Sequence, residues 1–195
     1  MIMKMDFSLT YTPDVDYNEI GYHSTYTKYY DNILNVGFYE SDKEDDWLGR
    51  GVYFWDTISN ANWWKKKLSK NEEKCIIKCD LSCKRENYID LDISMEEFVE
   101  FLKNYSLTME NSGKIKPVFK NKKQRRRYYC DIYSAQNNID IMSHTFEHDA
   151  VNEFGFVVGH IGRRQICVKN KSCISIITPL YNFFIKKYRT GLSDV

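Results

Sequence analysis

The stretch Leu48-Gly-Arg-Gly-Val-Tyr-Phe-Trp55 combines two glycines with a run of β-branched and aromatic residues. Two glycines separated by one residue mark a tight turn, and the β-branched and aromatic residues that follow are typical of a strand. A glycine turn before an aromatic strand is usually only a turn. Its meaning therefore depends on the segments around it.

The neighbouring segments have clear patterns of their own. Residues 19–25 are predicted to form a first strand, and a short helix then ends at Gly37, because glycine after a helical turn is a common stop. Beyond the turn, Ser59 is predicted to cap a helix that runs to about Leu68. A cysteine-lined strand is predicted at about 74–82.

Three of the six cysteines, Cys75, Cys79 and Cys83, have a regular spacing that would also suit a metal or cluster site. They alternate with polar positions, however, as one buried face of a strand does. Free cysteine commonly packs as a small hydrophobic residue. Because no matching histidine cluster lies nearby, the sequence favours core cysteines and predicts no metal.

The second half of the chain predicts one clear helix and several strands. Ser94-x-x-Glu97 has the form of a capping box, and apolar residues then recur at helical spacing. Strands early and late with helices between them predict an α+β fold, and residues 1–195 are interpreted as one domain. The remaining predictions are strands at about 128–133, 154–160, 165–168 and 173–177, and a final helix at 179–188.

Composition limits the possible classes of protein. Hydrophobic residues make up 43% and aromatic residues 15% of 195 residues, which argues against disorder. No apolar stretch approaches the length of a membrane span, and the first residues do not resemble a signal peptide, so a cytoplasmic protein without a membrane partner is expected. The net charge is +1, so any attraction to nucleic acid would have to come from a local patch.

Residues 113–127 form such a patch, with eight Lys or Arg and no acidic residue. With Tyr128 and Tyr129 beside them, these residues combine phosphate-pairing charge with rings that can stack, which suits single-stranded RNA or DNA. A solvated basic loop is the alternative interpretation. The chain has no GxGxxG motif and no Walker loop, so a dinucleotide would have to be held in another way.

The segments Tyr22-His23-Ser24-Thr25 and Gly49 to Phe54 together resemble the diphtheria-toxin-like and poly(ADP-ribose) polymerase-like branch of the ADP-ribosyltransferase superfamily. The similarity covers roughly residues 19–83 and 155–177, and residues 84–154 match nothing that can be aligned. It extends through "ILNVGF" at 33–38, "LGRGVYFWDTISNANWW" at 48–64, "KCIIKCDLS" at 74–82 and "RRQICVKNKSCI" at 163–174.

The resemblance implies a split β-sandwich of two small, mainly antiparallel sheets with peripheral helices, and an NAD cleft between the sheets. His23, Tyr53 and Gln165 would be the catalytic residues, with His23 bonded to a ribose hydroxyl. Tyr53 would stack on the nicotinamide ring, and Trp63 would close the sandwich. The aromatic faces suit a pyridinium cation. The full implied set of NAD-binding residues is His23, Ser24, Thr25, Gly51, Tyr53, Asn60 and Trp63.

The implied activity is mono-ADP-ribosyl transfer from NAD by a toxin or defence-type effector, with release of nicotinamide. Departure of nicotinamide leaves an oxocarbenium-like ribose. The acceptor would be a protein or a nucleic acid, and a neutralising antitoxin-type protein would be a further partner. A catalytically impaired module that binds NAD or ADP-ribose, an NAD glycohydrolase, and an RNA-end-processing relative of the same fold are the alternatives.

The chain departs from the family pattern at two positions. Ser24 replaces the glycine that usually follows the histidine, which is tolerable where only a backbone contact is needed. Gln165 replaces the usual glutamate, and an amide offers neither a negative charge to the developing cation nor a general base. Three interpretations of Gln165 remain: the acceptor supplies its own base, a nearby carboxylate substitutes, or only binding is retained.

The region 140–164 precedes the strand of Gln165 and would be the acceptor-recognising loop of the family. The substitute carboxylate would come from this loop, and the two arginines at its end would meet the NAD pyrophosphate. The acceptor-side residues are therefore predicted to be Glu147, Asp149, Glu153, Arg163 and Arg164.

Overall fold

The computed structural model describes residues 16–44, 46–113, 117–151, 153–154 and 157–179. The fold is α+β, as predicted, with seven strands and four α-helices in these ranges. The strands are β1 (Tyr17–Tyr26), β2 (Val52–Trp55), β3 (Lys74–Cys83), β4 (Tyr88–Asp90), β5 (Ile141–Val151), β6 (Val157–Val168) and β7 (Ile174–Pro179). The helices are α1 (Tyr30–Val36), α2 (Ile58–Lys67), α3 (Met95–Asn111) and α4 (Lys122–Gln136).

The described strands are hydrogen-bonded in one sheet, in the order β4-β5-β6-β2-β1-β3-β7. Every neighbouring pair is antiparallel except β4 and β5. Strand pairing is continuous from β4 to β7, so the described strands form one sheet. A single residue pair, Tyr22 opposite Trp55, nevertheless joins the β4-β5-β6-β2 half to the β1-β3-β7 half.

The two halves curve toward each other over a shared core. The rings of Tyr17 in β1 and Tyr88 in β4 are stacked with centroids 3.7 Å apart. In a flat sheet these strands would be four strand spacings, roughly 19 Å, apart. The core beneath them takes residues from both halves, including Leu81 of β3 and Ile166 of β6. The sheet therefore encloses this core by bending.

The opposite face of the sheet carries two smaller clusters. One packs α3 and α4 on β5 and β6 and contains Phe98, Tyr133 and Met142. The other packs α2 on β1, β2 and β3 and contains Ala61 and Trp55. Because the two clusters are separate, α2 and α4 cover different parts of this face.

Several local predictions are confirmed. The first strand, the helix that ends at Gly37, the cysteine-lined strand and the helix after residue 94 all form close to their predicted bounds. The capping details differ. Thr57 rather than Ser59 caps α2, by accepting a hydrogen bond from the Asn60 N–H, and Ser94 stands at the N-cap of α3 without a side-chain hydrogen bond.

Two predictions between residues 113 and 153 are wrong. The predicted strand at 128–133 belongs to α4, and the predicted loop before β6 contains the strand β5. In α4, Cys130, Tyr133 and Ser134 are buried at helical spacing, and this packing overrides the β-preference of the tyrosines. The predicted helix at 179–188 lies outside the described residues apart from Pro179, which ends β7.

The core assignment of the cysteines is confirmed. Cys79 and Cys83 are buried and Cys75 is partly buried, and all three are free thiols. Burial raises the pKa of the Cys79 and Cys83 thiols to about 12, so both remain protonated and act as apolar groups. Among the described residues, no helix is long and apolar enough to cross a membrane.

Candidate functional site

A cleft of about 500 Å³ opens on the face of the sheet between α2 and α4. His23 and Ser24 enter it from β1, Tyr53 from β2 and Gln165 from β6. Residues of three strands that are far apart in the sequence therefore line one cavity. The other rings that line it are Tyr39, Trp47, Trp55, Trp63, Trp64 and His148.

His23 lies where β1 and β2 separate. Its Nδ1–H donates to the Tyr53 carbonyl oxygen at 2.8 Å, because a carbonyl can only accept. The ring also meets Phe38 and Phe54 edge-on. Burial lowers the pKa of His23 below its ordinary value, so the ring is neutral near pH 7. The remaining nitrogen, Nε2, is then an acceptor suited to a hydroxyl group.

Tyr53 has its hydroxyl fixed by the glycine turn. The hydroxyl donates to the Gly49 carbonyl at 2.6 Å and accepts from the Leu48 N–H at 3.0 Å. Burial raises the pKa of the phenol, so it remains protonated. The hydroxyl therefore has partners in the protein, and the ring is held as a rigid wall of the cleft.

Gln165 lies directly opposite Trp55 on β2 and His144 on β5. Its Oε1 is buried and has no hydrogen-bond partner in the described structure. A buried amide oxygen without a partner is costly, about 1–3 kcal/mol. Since Gln165 lines the cleft, a bound ligand with a donor group would remove this cost.

Ser24 and Gly51 also line the cleft, whereas Thr25 does not. The Ser24 hydroxyl donates to the Ala61 carbonyl at 2.7 Å and so attaches α2 to β1. Gly51 passes close to β6, where a Cβ would lie 2.7 Å from the Val168 carbonyl oxygen. Ser24 therefore shapes the cavity by holding α2 against β1, and Gly51 does so by allowing the backbone to approach β6 closely.

Asn60 does not line the cleft, although the resemblance implied NAD binding there. Its amide nitrogen donates to Asp56 Oδ1 and its amide oxygen accepts from Arg163 Nη1, each at 2.7 Å. The Arg163 guanidinium in turn lies 4.3 Å from the centre of the Trp63 ring. Asn60 and Arg163 thus hold Trp63, which does line the cleft.

The predicted acceptor-side carboxylates do not line the cleft. Glu147 and Asp149 are on β5 rather than in a loop, and Glu153 lies in the following turn; all three are exposed. Alternate residues of a strand face opposite sides, and on β5 it is His148 that faces the cleft. The substitute carboxylate expected from this segment is therefore absent from the cavity.

Arg164 is also not in the position predicted for it. It faces the core between the two sheet halves, since it alternates with Gln165 along β6. Its guanidinium pairs with Glu19 at 2.9 Å and Asp90 at 3.1 Å, and it donates to the hydroxyls of Tyr88 and Ser143. These contacts hold the guanidinium between the two halves of the sheet, and Arg164 does not line the cleft.

Sequence reasoning missed the carboxylates that do line the cleft, Glu40 and Asp46. Both come from the segment between α1 and β2. Asp46 accepts from the Ser41 hydroxyl and the Lys43 N–H, and burial raises its pKa above the ordinary value despite these bonds. Glu40 pairs with Arg50 at 2.7 Å. The signal in the sequence is the acidic composition of residues 40–46.

The wall formed by Trp47, Trp63 and His148 was missed in part. The His148 ring lies 4.9 Å from that of Trp63 and 5.7 Å from that of Trp47, centre to centre. Of the three, only Trp63 was predicted to line the NAD site, and His148 lies in the segment that was predicted to be a loop. The described residues contain no cluster of three or more His, Cys, Asp or Glu side chains that could hold a metal ion.

The arrangement is suited to a flat heteroaromatic ligand that also carries hydroxyl groups. Aromatic walls stack on such a ring, while neutral His23 accepts from hydroxyl groups and the Gln165 amide oxygen accepts from a donor. Neither a scan against protein-family models nor a search of curated proteins finds a match for this chain.

Proposed function

We propose that the protein is an NAD-dependent mono-ADP-ribosyltransferase that uses the aromatic cleft. The observation that carries the proposal is the convergence of His23, Tyr53 and Gln165 on one cavity from three different strands. These are the three positions that the family resemblance assigns to catalysis. The cavity volume of about 500 Å³ is in the usual range for small-molecule and cofactor sites.

The proposed fold is the split β-sandwich of the ADP-ribosyltransferases. Support comes from the single residue pair that joins the two halves of the sheet and from the curvature of these halves over a common core. His23 lies at the junction of the halves, where its side chain bonds to the β2 backbone. A cleft at such a junction can present side chains from both halves to one ligand.

In the proposed reaction, the nicotinamide ring of NAD⁺ stacks between Tyr53 and Trp63. His23 Nε2 accepts from a ribose hydroxyl, and these contacts hold the leaving group in line for displacement. The nicotinamide–ribose bond breaks with its electron pair going to nicotinamide. An acceptor N–H or O–H group then bonds to the anomeric carbon and loses its proton, giving ADP-ribosyl acceptor, nicotinamide and H⁺.

Gln165 contributes a hydrogen bond but no charge to this step. Its unpartnered oxygen is suited to a ribose hydroxyl donor. Because the exposed carboxylates of β5 do not line the cleft, we infer that the acceptor group supplies the nucleophile without a glutamate base at this position. Glu40 and Asp46 line the cleft together with Lys43 and Lys123, so the lining offers the developing cation no excess of negative charge.

A module that binds NAD without cleaving it is the second candidate. The observation that favours it is again Gln165, because a neutral amide retains the ribose contact and loses the electrostatic stabilisation of the transition state. Release of nicotinamide distinguishes the two functions.

The test is incubation of the purified protein with NAD⁺ labelled in the nicotinamide, with and without cell extract. We expect release that increases with extract and that His23→Ala abolishes. His160→Ala is the matched control, since His160 is exposed on β6 and pairs with Asp149 away from the cleft. NAD binding with no release under any condition would support the binding module, and the absence of both would refute the proposal.

A further inference from the structure

The helix α4 separates the proposed NAD cleft from a second cavity of about 450 Å³. Lys123 lines the first cavity, and Lys122, Arg125 and Arg126 line the second. The second cavity is completed by the apolar side chains of Phe98 and Leu102 and by the ring of Tyr129. The first turns of α4 therefore present positively charged side chains to both cavities.

Two of these cations have no counter-ion among the described residues. Lys122 and Arg125 are exposed, and neither forms an ion pair with a carboxylate among the described residues. Arg127 differs, because it pairs with Asp42 and Asp131. The first turn of α4 also contains no acidic residue, although the amino end of a helix favours negative charge.

Arg126 connects the two cavities. Its guanidinium lies 5.1 Å from the centre of the Trp47 ring, which lines the first cavity, and 5.2 Å from that of Phe146. Its Nε is buried and has no hydrogen-bond partner in the described structure. Burial lowers the pKa of Arg126, and no carboxylate of the described part of the chain forms an ion pair with it. An anion at this position would supply the missing partner.

We infer that the acceptor is a single-stranded nucleic acid whose phosphates lie along Lys122, Arg125 and Arg126 while an unstacked base occupies the cavity above Phe98 and Leu102. This inference rests on the proposed transferase function. The acceptor group next to Lys123 would then reach the anomeric carbon of NAD, and its N–H or O–H proton would leave as H⁺ when nicotinamide departs with the bonding electrons.

Lys122, Arg125, Arg126 and the second cavity form a groove that favours a nucleic acid over an acidic protein. Cations combined with aromatic and apolar side chains in one groove suit a backbone that alternates phosphates with flat rings. A single strand is favoured over a duplex, because a cavity can receive only a base that has left the stack. The net charge of the chain is only +1, so binding should depend on this groove rather than on general attraction.

The first measurement is fluorescence anisotropy of a labelled mixed-sequence oligonucleotide of about 12 nucleotides, without NAD. We expect Lys122→Glu/Arg125→Glu to weaken binding at least tenfold. The slope of log K against log salt should fall by roughly 1.4, for two lost phosphate contacts. The charge-matched control is Lys70→Glu/Lys84→Glu, because both lysines are exposed and line neither cavity; it should bind nearly as the unmodified protein does.

The second measurement is nicotinamide release from NAD⁺ with the oligonucleotide, its duplex or an acidic peptide added. Stimulation by the single strand that is lost in the groove variant supports the inference. Equal losses of binding in the groove and control variants, or stimulation by the peptide alone, would overturn it. Groove-dependent binding with no release under any condition would refute the transferase proposal while supporting the nucleic-acid groove.

Discussion

Gln165 is the residue at which the chemistry of the cleft differs most from that of the family it resembles. In the proposed NAD site, Gln165→Glu introduces a negative charge beside the ribose, so we expect the turnover number for nicotinamide release to increase by about tenfold or more, with little change in KM. Gln165→Leu should raise KM, because the hydrogen bond is removed. Steady-state kinetics of both variants test this, and an unchanged rate in Gln165→Glu would show that charge at this position is not limiting.

Tyr53 combines two roles that substitution can separate. In Tyr53→Phe the ring remains, but the buried Leu48 N–H and Gly49 C=O lose their common partner. The free energy of unfolding should therefore fall by about 1–3 kcal/mol. NAD affinity should change little, whereas Tyr53→Ala should reduce it strongly. Denaturant unfolding and NAD titration of both variants check this. A large loss of affinity in Tyr53→Phe would assign the hydroxyl to the ligand instead.

His23 makes stability depend on pH, because its pKa is lowered by burial in the folded state. In the unfolded chain this histidine takes up a proton at about pH 6.5, whereas folded His23 remains neutral to lower pH. The free energy of unfolding should therefore fall as the pH falls below this point. His23→Asn retains a donor for the Tyr53 carbonyl but does not titrate.

The corresponding measurement is the denaturation midpoint at about pH 7.5 and about pH 5.5, where the linkage of His23 to folding differs most. The decrease on acidification should be smaller in His23→Asn than in the unmodified protein. His148, whose pKa is also lowered, is present in both proteins and cancels in the comparison. Equal decreases would show that His23 ionises in the folded state as it does in the unfolded chain.

At the scale of elements, the approach of β2 to β6 depends on Gly51. A Cβ there would lie 2.6 Å from Cys167 Sγ and 2.7 Å from the Val168 carbonyl oxygen, and the backbone cannot move away without disturbing the strand pair. Gly51→Ala should therefore destabilise the protein by about 1–3 kcal/mol. Thermal unfolding measures this. Gly37→Ala is a control for the loss of a glycine at positive φ, since no atom lies within 4 Å of its position.

A strand or helix could be predicted where the buried residues of the segment recur at a regular spacing. The buried alternation of Cys79, Leu81 and Cys83 identifies β3 from the sequence, as periodicity of two should. The helix α4 was not predictable in this way, because its first residues are basic and its tyrosines prefer strands. Packing against α3, rather than local preference, makes this segment helical.

At the scale of the whole molecule, Arg164 joins the two halves of the sheet. It links Glu19 of β1 to Asp90 of β4 across the bend. Arg164→Met would leave both carboxylates partly buried without a counter-ion, so we expect destabilisation by about 3–5 kcal/mol. Chemical denaturation is the measurement. Arg50→Met, which removes an exposed pair with Glu40, should cost less than about 1 kcal/mol; similar losses in the two variants would contradict a special role for Arg164.

The sequence by itself determined the α+β class, the strand that carries His23, the glycine turn before Tyr53 and the core cysteines. Each of these depends on local periodicity or on backbone rules for glycine. Only the tertiary structure decided which of two neighbours on β6 faces the cleft: Gln165 lines it, and Arg164 faces the core. It also brought Asp46, Trp47 and α4 to the cavity. The physical reason is that these positions are set by contacts between segments distant in the chain, which no local pattern records.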